Sequence, residues 1–214
     1  MNESNSAPAP SPVQPNRKPA TRPRRRPPHP AVQALFELHP RLFGPRPLPL
    51  KVGIYEDLLA AHADRLSAEQ LKTGLALHTR STRYLEAVAS GLPRHDLQAV
   101  PVEPVAAEHV HHAIVELYRR KQGTPQESAA RGRAVAQLVE NIGRSGLGRD
   151  GYRERFGAGG EPSRSLVEEA LVAAGARTAR QEALQRAFRA SGQTVEAFAE
   201  MYGLDPAEVR NLLA

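Results

Sequence analysis

Proline placement decides where this chain can be regular. Of its 19 prolines, nine fall in residues 1–30 and four more between Pro40 and Pro49. Each removes a backbone donor, fixes its own φ and pushes the residue before it toward extended conformations. The first thirty residues also hold almost no large apolar side chains. They cannot bury enough surface to offset their ordering entropy, so a disordered, partly extended arm is expected. A short helical segment over Ala31–Leu38 follows, stopped by Pro40, and the stretch PRLFGPRPLP over 40–49 is expected to be irregular.

The charge is as uneven as the proline. The chain of 214 residues has a formal charge of +6 and an isoelectric point near 10.0, which suggests a polyanionic partner. Residues 1–30 carry +5 of that charge, residues 31–122 carry +1, and residues 123–214 balance. Arg22, Arg24, Arg25 and Arg26 of the arm are therefore candidates for auxiliary, nonspecific phosphate contact, and a solvated tail is the competing reading. Zero cysteines exclude disulfides, thiolate metal sites and a cysteine nucleophile. No run approaches the roughly 18 apolar residues of a membrane span, and the N-terminus has no apolar signal core. A cytoplasmic location and no membrane contact are expected.

Helical periodicity begins at Val52, where Val52, Tyr55, Leu58 and Leu59 form one stripe running to Ala63. Ser67 with Gln70 is a capping-box signature for a helix to His78, and Thr79 or Ser81 caps a shorter one ended by Gly91. Residues 94–103 read as a small hairpin or extended excursion. Ala106–Lys121 is a helix with Val110, Ala113, Ile114 and Leu117 on one face. This makes residues 30–122 a compact, mainly α domain.

Beyond it, a helix over Arg131–Ile142 is followed by a glycine-rich linker over 143–165. Helices are expected over Leu166–Ala174 and Ala179–Ala190, then a closing pair over 193–214 separated by residues 203–205. Residues 166–214 are thus a C-terminal helical accessory region.

Three blocks carry a family resemblance: Leu50-Lys51-Val52-Gly53-Ile54-Tyr55-Glu56-Asp57-Leu58, Leu71-Lys72-Thr73-Gly74-Leu75-Ala76-Leu77-His78-Thr79 through Arg83-Tyr84-Leu85, and Glu108-His109-Val110. In this order and spacing they resemble the ProQ/FinO family of bacterial RNA chaperones over roughly residues 31–121. The resemblance implies a mainly α RNA-binding domain that grips the base of structured hairpins. Terminator stems with U-rich, single-stranded 3′ ends are implied ligands, and matching small regulatory RNAs with messages the implied activity, without catalysis or cofactor.

A-form RNA hides its base edges, so a protein reads it through phosphates, 2′-hydroxyls, shape and splayed ends. Lys51 stands ahead of a helix whose free N–H groups add to its charge. Lys72, Arg80, Arg83 and Arg94 are the other candidate cations, and Tyr84 is either a stacking platform or an ordinary core residue. The resemblance implies that positions matching Lys51, Lys72, Arg83, Tyr84 and Arg94 face RNA. The chain also departs from the pattern: many members have Trp where Thr82 stands, a basic residue at Ala76 and Tyr at His78. Arg80 compensates on the same short helix, and His78 keeps a hydrogen-bonding group.

Other motifs carry less. Gly146-Leu-Gly148-Arg-Asp-Gly151 fits GxGxxG but follows a helix rather than a strand, so a flexible linker is preferred. His109, His111 and His112 lack an evident third metal ligand beyond Glu108 or Glu116. No GxSxG, HExxH or P-loop occurs, so there is no positive case for an enzyme. Val195, Ala199, Gly203, Val209 and Leu212 occupy helix-turn-helix positions, but Asp205, Glu208 and Arg210 leave the second helix near −1. A packing or protein-interaction module is preferred there over the alternative, a DNA-binding regulator; an interaction scaffold is a third reading.

Overall fold

The computed structural model describes residues 29–213, with side chains through Asn211. The arm with Arg22, Arg24, Arg25 and Arg26 lies outside the described residues. The described chain is helical apart from one hairpin, in agreement with the expected mainly α class.

Helix α1 (Pro30–Leu38) has a proline at its first position, where a missing N–H costs nothing. The stretch expected to be irregular contains a short helix, α2 (Pro40–Phe43), because Pro40 likewise sits at its first position. Helix α3 (Ile54–His62) begins later than the stripe suggests. Val52 is left outside it and 66% exposed, so it is not a core residue. Helix α4 (Ala68–Thr79) has the full Ser67/Gln70 capping box, and Ser81 caps α5 (Thr82–Ala89) by accepting the Tyr84 N–H. Strands β1 (Arg94–His95) and β2 (Pro101–Glu103) form the antiparallel hairpin, and Leu50 lies parallel to His95. Helix α6 (Ala107–Arg119) buries Val110, Ala113 and Ile114 as its periodicity requires.

The sequence reading departs furthest from the structure after α6. Helix α7 (Glu127–Arg144) packs along α6, and the segment expected to be a linker contains α8 (Gly148–Phe156). Gly146 and Gly148, at φ +69 and +67, make the turn between them. Tyr152 supplies the missing reason for order: its ring is fully buried and Phe156 packs beside it at 4.5 Å. The two helices expected at 166–174 and 179–190 are one, α9 (Ser163–Ser191). Gly175 does not break it. A glycine costs only about 1 kcal/mol in a helix, and here its bare Cα admits the Arg149 guanidinium, 2.9 Å from where a Cβ would stand.

One hydrophobic core therefore extends from Leu35 of α1 to Ala174 of α9, across the boundary expected near residue 122. A second, small core gathers Phe198, Ala199 and Val209 from α10 (Val195–Tyr202) and α11 (Pro206–Leu213) onto Leu184 and Phe188 at the far end of α9.

Candidate nucleic-acid interface

The seven expected contact residues of the central domain fall into three groups. Lys72, Arg80 and Arg83 are exposed, and none has an ion pair or side-chain hydrogen bond among the described residues. Arg80 is the C-cap of α4 and Arg83 lies in the first turn of α5, so the Ser81 cap holds both at one corner. An exposed, unpaired guanidinium keeps all its donors for a ligand.

Lys51 and Arg94 are already engaged. Lys51 Nζ lies 2.6 Å from Asp57 Oδ2, and this hydrogen bond holds the ammonium above its ordinary pKa. Asp96 and Glu103 line the same shallow groove, so Lys51 faces an acidic surround. Arg94 donates to the Leu50 carbonyl at 2.8 Å and to His109 Nδ1 at 2.9 Å, with Glu103 at 3.8 Å. These bonds tie the Leu50 backbone to α6.

Tyr84 and His78 are buried. The Tyr84 ring is 7% exposed, which leaves no face for a base to stack on, and its hydroxyl accepts the Leu50 N–H at 3.1 Å. Burial raises its pKa, against opposing effects of that hydrogen bond and of Arg94. The core reading of Tyr84 is where the side chain sits. His78 is wedged edge-on between Phe43 at 4.7 Å and Tyr84 at 5.1 Å, and burial lowers its pKa to about 4. Its Nε2 is buried without a hydrogen-bond partner among the described residues.

Two features escaped the sequence reading. Phe36 of α1 is 41% exposed and lines an apolar groove with Phe43 and Pro45 into which Arg83 extends. On the other side of α5, Thr82 opens a second groove toward α6 and α7. Helical periodicity marks Phe36 as apolar but cannot tell that α2 leaves its face uncovered.

The histidines considered as metal ligands point to separate tasks. His109 accepts from Arg94, and His111 bonds Tyr152 at 3.0 Å and Ser163 at 3.0 Å. Among the described residues no group of three or more metal-ligating side chains comes together, and no helix is long and apolar enough to cross a membrane. In the C-terminal pair, Arg210 is bonded to Glu196 at 3.0 Å, so the one cation of α11 is not free for a phosphate.

These observations define a small helical domain with a basic corner formed by α4 and α5. Residues 25–130 match the ProQ/FINO family model, and through this domain the chain belongs to the ProQ/FinO family. It is 38% identical over 90 residues to the RNA chaperone ProQ of Idiomarina loihiensis, covering 41% of this chain and 43% of that one. It is 39% identical over 84 residues to the RNA chaperone ProQ of Haemophilus influenzae, covering 38% and 43%. Among solved structures it is similar to a FinO-like RNA chaperone of Neisseria meningitidis, at 30% identity over 38% of this chain and 84% of that one, with a TM-score of 0.34. The chain spans about two-fifths of the length of the two ProQ relatives.

Proposed function

We propose that this protein is a noncatalytic RNA chaperone of the cytoplasm that binds structured RNA, with hairpins bearing single-stranded 3′ tails as its ligands. The observation that carries this reading is the corner of exposed, unpaired cations, Arg80 and Arg83 with Lys72 on the preceding helix, inside a ProQ/FinO domain. Guanidinium groups at a capped helix start suit phosphate oxygens, both as charges and as planar donors. Phe36, beside Arg83, is the exposed ring available to an unpaired base; stacking there is worth about 1–3 kcal/mol. Lys51 and Arg94 act at the rim once RNA phosphates compete with Asp57 and Glu103, and Tyr84 and His78 support the corner from within. By holding stem bases and tails of small regulatory RNAs and messages, the protein protects them or promotes their exchange. The arginines of the arm add nonspecific attraction. The C-terminal pair, which exposes Met201 and Tyr202, is the part suited to a protein partner.

The test is a gel shift of the full chain with a terminator hairpin, with and without its U tail, against duplex DNA of equal length. Preferential binding of the tailed hairpin supports the reading. Equal or tighter binding of the DNA sinks it.

A further inference from the structure

The groove between α5, α6 and α7 adjoins the basic corner but owes one wall to a helix that lies largely beyond the residues matched by the family model. Thr82, in the first turn of α5 beside Arg83, forms its near end, and Arg120 Nη1 donates to the Thr82 hydroxyl at 3.2 Å. Its floor is apolar, with Ile114, Leu117 and Ala134, and its rim carries Arg120, Lys121, Arg133 and Glu86, with Arg120 already paired to Glu116 at 3.0 Å. Arg133 has no ion pair or side-chain hydrogen bond among the described residues, and the Lys121 ammonium bonds only the neutral side chain of Gln126, at 3.2 Å. The Lys51 groove has the opposite balance, one cation against Asp96 and Glu103.

We propose that this groove is a second RNA contact, which takes the single strand leaving the stem: phosphates against Lys121 and Arg133, with Arg120 held at the rim by Glu116 and Thr82, and sugar and base edges over the apolar floor. A track with cations on its rim and an apolar floor suits a polyanion whose bases are not paired. The inference rests on the RNA-binding reading and extends it to residues outside the α4–α5 corner. A second groove with an arginine majority lies between α7, α8 and α9, but its Arg177 is paired with Glu140 and its Arg144 donates to the Ser90 carbonyl. It has no wall on α5 and serves as the control.

The experiment measures fluorescence anisotropy of the full chain with one hairpin made blunt or with a ten-nucleotide unpaired flank at either end. Lys121→Ala/Arg133→Ala is expected to weaken binding of one flanked hairpin about tenfold while leaving the blunt one within about twofold. The salt slope for that flanked RNA should flatten by about 1.4, from two lost single-strand phosphate contacts. Arg149→Ala, in the control groove, should change neither. The proposal is overturned if the double variant matches wild type on all RNAs, or if it weakens blunt and flanked hairpins equally. A wild-type protein that binds no hairpin overturns the RNA reading itself, a different result from either. Circular dichroism melts, expected to be unchanged because both side chains lie on the rim, confirm that the variant folds.

Discussion

His78 and His111 are both buried, and burial holds both at a pKa of about 4, yet their surroundings are opposite. His111 has both ring nitrogens engaged, Nδ1 with Tyr152 and Nε2 with Ser163, and it stacks on Phe156 at 4.4 Å. The Tyr152 hydroxyl in turn accepts from Asn141 at 2.9 Å. One proton arrangement satisfies the whole set: Asn141 donates to Tyr152, Tyr152 to His111, and His111 to Ser163. His78 has Nε2 buried with no partner among the described residues, beside the exposed cations of α4 and α5. Buried polar groups are nearly always paired, so an orphan calls for a reason. The contrast separates a brace, in which α6 to α9 lock one another through satisfied polar groups, from the α4–α5 region, whose buried histidine is packed between two rings.

The ion pairs follow the same division. Arg131–Glu169, Arg153–Glu168, Arg155–Glu108 and Arg177–Glu140 join the brace helices, whereas Lys72, Arg80 and Arg83 are unpaired among the described residues. Exposed pairs contribute little stability, at most about 1 kcal/mol each. They nevertheless neutralise these four brace arginines, whereas the corner cations keep their charge.

The sharpest way to break this comparison is through Tyr152. Tyr152→Ala should cost about 3–5 kcal/mol in urea denaturation, because it empties a buried aromatic site and strands His111 and Asn141. A loss under about 1 kcal/mol would mean that α8 is not part of the core.

Acid should act next in size. A histidine whose folded pKa lies below its unfolded value binds its proton more readily when unfolded, so its contribution is fully present above about pH 6.5 and lost as pH falls toward 4. With both values near 4, stability should drop by about 2 kcal/mol per histidine between pH 7 and pH 5. Urea melts across that range check it, and a flat profile would contradict neutral burial of both rings.

The smallest effect distinguishes the two rings. His78→Phe removes an unpaired polar atom while keeping a ring between Phe43 and Tyr84, so stability at pH 7 should stay within about 1 kcal/mol of wild type or rise. A larger loss would show that Nε2 has a partner, and the contrast with His111 would collapse.

Much of the central domain was legible because its signals are local. Ser67 with Gln70, Ser81 before Tyr84, and Gly91 after α5 each act within a turn or two, and they mark helix ends correctly. The sequence leaves Tyr84 between two readings because Leu50, the residue that decides it, is 34 positions away. Lys51 reads as a free cation because a sequence does not show which carboxylate its ammonium will reach. The helix at 148–156 is not legible for a related reason: glycine and arginine dominate its composition, and its fully buried anchor, Tyr152, finds its partners on α6 and α7. Local chemistry set the elements, and long-range contacts decided which cations remained available.

The central claim is that unpaired cations at the α4–α5 corner, rather than arginine content, confer RNA binding. It is tested most directly by comparing two double variants of the full chain for affinity to a tailed terminator hairpin. Arg80→Ala/Arg83→Ala should weaken binding at least about tenfold with melting unchanged, as expected for the loss of phosphate contacts. Arg131→Ala/Arg177→Ala, drawn from the paired arginines of the brace, should stay within about threefold of wild type. Equal losses from the two variants, or a larger loss from the brace pair, would contradict the account.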